Sequence, residues 1–368
     1  MASNVLGIIY SNTFDECLGD LTSVRTMGSV PFAGRYRLID FALSGMVNAG
    51  ITKIGVATKA NYQSLLDHLG SGKPWDLSRK VDGLTILPPF NIMEGGGGFY
   101  KNRIEAIAGI RNYLAHSNKE YVVLCDSNVV ANIDYAAFID GHIESGADIS
   151  IAYKKGEKPQ ISELMNFGLD GDRIRSVKVG EFGECAYSLN VIILRKVLLE
   201  RLIERALAVG AQSFELDVIG KNVDSLFIRG VEVTSYAEMI DSLKSYYDIS
   251  MRLISGDRRR LFTADNPVYT KVRDDMPTIY GLASKASDSL IADGCIIKGT
   301  VENSILFRGV YVAEGAVVKN SIIMQDSYIS QGSTVNCAIL DKEVFVKPNV
   351  DISGASSWPL YVGKNVRI

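Results

Sequence analysis

The chain is poor in the residues that most often carry chemistry on their own. Of 368 residues only three are histidine (His68, His116, His142), and five are cysteine (Cys17, Cys125, Cys185, Cys295, Cys337). The cysteines are scattered and odd in number, with no Cys-x-x-Cys pair and no histidine beside them, which argues against both a zinc site and a disulfide framework. Long apolar runs are missing too. Candidates such as Val191-Ile192-Ile193-Leu194 stop at Arg195-Lys196, far short of the roughly 18 consecutive apolar residues of a membrane span. Charge of one sign is not in excess: 39 Lys and Arg stand against 42 Asp and Glu, and the one basic block, Arg258-Arg259-Arg260, reads as a solvated face. No surface that neutralises nucleic-acid phosphates is expected. Met1-Ala2-Ser3-Asn4 puts no basic region ahead of the apolar run Val5 to Tyr10, so that run reads as a first strand rather than a signal peptide, and the expected location is cytoplasmic.

What is present is the composition of an ordinary globular protein, 47% hydrophobic and 22% charged, long enough for about two domains. Up to about residue 255, short apolar runs alternate with amphipathic stretches, the mark of a mostly parallel sheet flanked by helices. Strands are expected at Val5–Tyr10, Lys53–Thr58, Tyr121–Asp126, Ile149–Tyr153 and Ser188–Leu194. Helices are expected at Leu38–Ala49, Lys101–Ala115, Arg195–Ala208 and Met239–Ile254. Residues 256–284, charged and then broken by Asp265-Asn266-Pro267, read as a linker.

From residue 285 to 368 the period changes. Aliphatic residues recur six apart at Ile291 and Ile297, at Val312, Val318 and Met324, at Ile329 and Val335, and at Leu340 and Val346, with glycines between them. A six-residue period gives one short strand and turn per repeat, three repeats make one coil of a prism, and the aliphatic residues stack inside it. Such a solenoid is read as a scaffold. An acyltransferase built on it would need a histidine to activate the acceptor, and none follows His142. Trp358 and Tyr361 are expected to cap the last coil, and paired aliphatics such as Ile322-Ile323 to offer subunit contacts.

The loop after the first strand is where a doubly wound domain holds phosphate. Here it runs Ser11-Asn12-Thr13-Phe14-Asp15-Glu16-Cys17-Leu18, with two acids and no glycine before Gly19. Beyond it lie Leu18-Gly19-Asp20-Leu21-Thr22-Ser23-Val24-Arg25, then Val30-Pro31-Phe32-Ala33-Gly34-Arg35-Tyr36-Arg37-Leu38-Ile39-Asp40-Phe41-Ala42-Leu43-Ser44, then Val47-Asn48-Ala49-Gly50-Ile51. These segments, with the hexad tail, closely resemble the ADP-glucose pyrophosphorylases (glucose-1-phosphate adenylyltransferases). The resemblance implies an α/β fold with a Rossmann-like nucleotidyltransferase domain (1–255) followed by a left-handed parallel β-helix of hexapeptide repeats (285–368). It also implies a reaction in which glucose 1-phosphate attacks the α-phosphorus of ATP, with Mg²⁺ on the phosphates.

Position by position, the groups that this chemistry requires are largely replaced. The family's GGxGxR loop falls on Asn12 to Cys17, so Asn12 stands at a glycine, Asp15 at another, and Cys17 at the arginine. The lysine of R-A-K-P-A falls on Met27, and the Gly-Thr-Ala-Asp segment before Tyr100 and Asn102 falls on the run Gly95–Gly98. Asp126 keeps the place of the metal-binding aspartate, but the second aspartate falls on Met239, with Asp241 two residues on. The sugar-phosphate motif F-x-E-K-P falls near Val177-Lys178-Val179-Gly180-Glu181 and lacks its Glu-Lys pair.

A frame kept without its chemistry resembles the GlgD-type accessory subunits of that family in Firmicutes. The resemblance implies no intact catalytic set beyond the remnant Asp126 and no metal or other cofactor of its own. It implies a heterotetramer with a catalytic pyrophosphorylase subunit that carries the Mg²⁺; homo-oligomers stay open. Two other readings stay open: an active sugar-1-phosphate nucleotidyltransferase using Lys101 and Arg103 for phosphate, and a stand-alone sugar-phosphate or nucleotide sensor. Arg35 and Arg37, an Arg-x-Arg pair at the start of a helix, are candidate ligands for an anionic effector; the competing reading pairs them with acids such as Asp40.

Overall fold

The computed structural model of the chain describes residues 4–89 and 100–368. The glycine run Gly95–Gly98 lies outside the described residues.

The α/β domain is built on a nine-stranded sheet of β1 (Val5–Tyr10), β2 (Lys53–Ala57), β3 (Gly83–Leu87), β4 (Tyr121–Asp126), β5 (Ile149–Glu157), β6 (Asn166–Asp170), β7 (Arg173–Lys178), β8 (Glu184–Arg195) and β9 (Ile228–Glu232), in the order β3-β2-β1-β4-β8-β5-β9-β7-β6. β3, β2, β1 and β4 run parallel, while β8 is antiparallel to both β4 and β5. The sheet is therefore mixed rather than mostly parallel. The departure arises because β8 returns to the sheet after the β6–β7 excursion, which lets it pair directly with β5, without a helical crossover.

Alternation along β1 sends Val5 and Ile9 to one face of the sheet and Leu6, Ile8 and Tyr10 to the other, and helices cover both faces. These are α1 (Ile39–Asn48), α2 (Gln63–Leu69), α3 (Arg103–Gly109), α4 (Arg111–Ala115), α5 (Tyr135–Ser145), α6 (Lys196–Ala208) and α7 (Leu243–Arg252). The stretch expected as one helix over Lys101–Ala115 is broken at Ile110, just after Gly109, into α3 and α4. The helix expected from Met239 begins only at Leu243, because Ser242 and Ser245 form a reciprocal cap there. Ala237–Met239 is instead a short strand paired with Val129–Ala131.

Ile279–Tyr280 is the first strand of the β-helix, within the segment read as linker. The earlier part of that segment is not a free tether: Asn266 bonds Asn132, and the Tyr269 amide donates to Ser44 Oγ at 2.8 Å. The β-helix has three five-stranded parallel sheets. Inside, the buried ladders are Ile297, Val312, Ile329 and Val346; Val301, Val318, Val335 and Ile352; and Leu306, Ile323, Leu340 and Val362. Corners are made by left-handed residues such as Asn303, Asn320, Gly315 and Gly332. One face carries an outer stack, Tyr311 on Tyr328 at 4.4 Å and Tyr328 on Phe345 at 5.2 Å between ring centroids.

The outer side of another face is apolar as well. Ile305, Ile322 and Ile339 lie against Leu21, Phe32 and Tyr246 of the α/β domain in one buried cluster. Ile322, read as a subunit contact, is thus a contact within the chain. Trp358 is 80% exposed and caps nothing, since it closes a surface turn with Ala355; the last coil is closed instead by Ile368, whose carbonyl accepts from Lys347 N–H.

Candidate functional site

β1 delivers the chain to the phosphate loop at Ser11. The loop is folded around its own carboxylate. Asp15 Oδ1 accepts the Met27 backbone N–H at 2.7 Å, and Asp15 Oδ2 accepts Asn12 Nδ2 at 2.7 Å. Asn12 Oδ1 in turn accepts the Lys59 amide at 2.7 Å. A carboxylate thus holds the backbone donor at the start of the short helix Met27–Ser29, a kind of donor that elsewhere serves phosphate. Burial raises the Asp15 carboxyl to about 6, against the help of Asn12 and the Met27 amide. Cys17, at the arginine position, is a half-buried thiol raised to about 11 by burial and by Glu16 beside it. Met27, at the lysine position, is a core residue at the domain interface. Neither offers positive charge.

Asp126 ends β4 with its side chain buried. Oδ2 accepts Arg103 Nη2 at 2.5 Å and Asn190 Nδ2 at 2.7 Å, while Oδ1 accepts Thr13 Oγ1 at 3.1 Å. Asn190 reaches it because β8 slips register between Ser188 and Val191, where Asn190 takes a φ of 53° and its amide is held by Ser188 Oγ. Arg103 is the first residue of α3, behind the Asn102 cap, with its guanidinium 5.2 Å from the Tyr10 ring centroid and 5.7 Å from that of Phe214. Met239 is buried in its short strand and supplies no ligand. The carboxylate of Asp241 is not on a helix; it accepts the Gln160 amide and Ser242 Oγ.

No group of three His, Cys, Asp or Glu suited to a metal occurs among the described residues. The residues present do not fit the Mg²⁺ that the family resemblance implies, because Mg²⁺ requires carboxylates and phosphates free to ligate it, and Asp126 already has three donors. Lys101 is exposed, with its backbone amide on Glu105, and Lys178 forms a surface pair with Glu181, so neither side chain meets Arg103 in a phosphate site.

A second cluster lies where the domains meet. Arg35 and Arg37 diverge. Arg35 leaves the turn Ala33-Gly34 to pair with Asp293 of the β-helix at 2.5 Å, both side chains more than 40% exposed. The Arg37 side chain donates to Ser64 O and Oγ, while only its backbone amide donates to Asp40, whose other oxygen holds His68 at 2.6 Å. The expected Arg–Asp40 side-chain pairing is therefore absent; Asp40 serves the helix start and His68 instead. Arg25, fully buried, pairs with Asp341 at 2.9 Å, and Tyr361 Oη donates to the same oxygen. Lys342 is pushed down to about 7, first by burial and then by Arg37 and Arg25. Asp341 and Lys342 escaped the sequence reading because no local pattern links residues more than 300 positions apart. A cavity of about 460 Å³ opens on the Arg35 side of the seam between Arg35, Tyr36, Phe262 and Leu290, and Arg258 and Arg259 line it, exposed as a solvated face is.

Two family profiles match the chain, "Nucleotidyl transferase" over residues 16–178 and "GlmU-like, C-terminal hexapeptide" over residues 277–356. The glycogen biosynthesis protein GlgD of Bacillus subtilis is 37% identical over 365 residues, covering 99% of this chain and 97% of that protein. The protein of the same name from Geobacillus stearothermophilus is 39% identical over 86% of this chain and 84% of its own length. The glucose-1-phosphate adenylyltransferase of the latter organism is 31% identical over 82% of this chain and 79% of its own length. No helix among the described residues is long and apolar enough to cross a membrane.

Proposed function

The chain belongs to the GlgD family of glycogen biosynthesis proteins, relatives of the glucose-1-phosphate adenylyltransferases, and from that membership we propose that it is a non-catalytic regulatory subunit of such an adenylyltransferase. Its role in glycogen biosynthesis is of the GlgD type. It associates with a catalytic subunit, in a heterotetramer, and alters the rate at which that subunit makes ADP-glucose from ATP and glucose 1-phosphate; the Mg²⁺ belongs to the partner. The observation that carries this reading is the phosphate loop, in which the Asp15 carboxylate holds the Met27 amide. A nucleotide triphosphate entering there would meet like charge from Asp15 and Glu16, with neutral Cys17 and Met27 in the places of its cations.

Regulation by an anion is assigned to the domain seam. Arg37, Arg25 and Lys342, the last pushed down to about 7, lie close enough to act on one another near the carboxylates of Asp341 and Asp40, while Arg35 stands apart at the surface on Asp293. Movement of one domain against the other would change the spacing of these charges, which is how an anion bound there would act on the assembly.

The test is direct. The purified chain is expected to make little ADP-glucose alone, to raise turnover severalfold when mixed with the catalytic subunit, and to elute with it as one species of larger mass. Equal rates with and without the chain would overturn the reading.

A further inference from the structure

A buried carboxylate requires a counter-charge, and in a nucleotidyltransferase frame the remnant Asp126 would look to a divalent ion for it. Here the counter-charge is covalently attached. The Arg103 side chain, 8% exposed, meets an Asp126 side chain that is 0% exposed, with 2.5 Å between Nη2 and Oδ2. Its guanidinium carbon lies over the rings of Tyr10 and Phe214, an arrangement that favours a cation. Asn190 and Thr13 fill further acceptor positions of the carboxylate. We infer that Arg103 stands permanently in the place of a metal ion at Asp126, so that the vestigial centre excludes divalent cations and serves as a structural tie.

The neighbouring charges agree. With Met239 replacing the second acid, Asp126 is the carboxylate that Arg103 bonds directly, and Glu215 adds negative charge that also favours the guanidinium. A metal entering would have to expel Arg103 from its contacts with two aromatic rings, or else share the Asp126 carboxylate with it as a second cation. Arginine suits the post because it does not lose its proton on burial. Through this one residue α3 is bound to β4, to Tyr10 at the end of β1, and to Phe214 at the start of the short helix Phe214–Ile219, while Asn190 brings in β8. The inference goes beyond the regulatory reading and stands whether or not the chain activates a partner.

It is tested on the chain alone, with manganese and magnesium chlorides as the probes. Added Mn²⁺ is expected to keep its full free-ion resonance in the presence of the wild-type protein, and millimolar Mg²⁺ to leave its melting midpoint unmoved. Asp126→Asn is expected to lower the midpoint sharply, since it leaves a buried guanidinium unpaired. The double variant Arg103→Met with Asp126→Asn, which removes both charges at similar volume, is expected to recover most of that loss. Loss of the free Mn²⁺ signal in the wild type but not in Asp126→Asn would overturn the inference. So would a double variant no more stable than the single one. Should Asp126→Asn fail to fold, recovery of a folded double variant supports the tie, and the wild-type manganese titration decides the exclusion of metal without any variant.

Discussion

At the scale of single residues, two half-buried or buried charges are held by close partners. Asp15 places a carboxylate on the Met27 amide in the loop after β1, and Arg103 places a guanidinium on Asp126. The two are not equally comfortable. Burial holds the Asp15 carboxyl at about 6, above its usual value of 3.8, so the folded state binds this proton more tightly than the unfolded chain does. The sign follows from linkage: the contribution of Asp15 to stability is fully present below about pH 4 and is lost as pH rises through 6, by up to about 3 kcal/mol. Asp15→Asn keeps an acceptor for the Met27 amide, gives up the one for Asn12 Nδ2 and carries no charge, so its stability relative to wild type should rise as pH passes upward through 6. Melting curves of both proteins between acid and neutral pH check this. A difference that does not change with pH would show that Asp15 is already protonated or solvated.

At the scale of elements, the solenoid illustrates how backbone proximity selects residues more strictly than backbone angle does. Gly299 has no unusual φ, yet a Cβ there would lie 2.3 Å from the carbonyl oxygen of Ala316 and 2.6 Å from that of Ala313 in the next coil. Gly171, in the turn between β6 and β7, has a φ of +63° with nothing within 4 Å of a Cβ. Gly171→Ala should cost about 1 kcal/mol for the left-handed conformation. Gly299→Ala should cost several times more, because two coils must separate and their ladder hydrogen bonds lengthen together. Denaturant melts of the two variants measure the ratio; equal losses would mean the coils are free to slide apart. The same scale explains where periodicity misled. Met239–Ile254 has a helical spacing of apolar residues, but the serine cap at Ser242 and the pairing of Ala237–Met239 with Val129–Ala131 override it, and that strand takes Met239 into the core. The Lys101–Ala115 pattern was read through Gly109, where the helix breaks.

At the scale of the whole molecule, the two domains form one hydrophobic cluster across their seam, pinned by the buried pair Arg25–Asp341. Breaking it one-sidedly leaves a buried charge. Asp341→Asn should lower stability by about 3–5 kcal/mol and loosen Tyr361, which donates to the same carboxylate. Amide exchange would then rise in Ile339 and Leu340 and in the residues around Arg25; an unchanged exchange pattern would show that apolar contacts alone hold the seam. The seam also decides what the solenoid is for in this chain: its Ile305, Ile322 and Ile339 row covers the α/β domain rather than a second subunit.

Much of this was legible in the sequence, because it depends on local order. The short apolar runs of β1 and β4, the six-residue period of the solenoid, and the scarcity of glycine and basic residues in the loop after β1 are all facts about neighbours in the chain, and neighbours in the chain stay neighbours in space. The paired aliphatics Ile322-Ile323 were legible as a contact surface, but that Ile322 meets the α/β domain of the same chain rather than another subunit was not. What only the tertiary structure decided is how charges find partners. Nothing in the spacing of Arg103, Asp126 and Asn190, or of Arg25 and Asp341, says that they meet, because in a folded chain a buried charge is matched by whichever opposite group the packing brings within about 3 Å, regardless of separation in sequence. The sequence alone determined which residue types occupy the loop after β1; the fold determined which charges meet, Arg103 at Asp126 and Arg25 at Asp341.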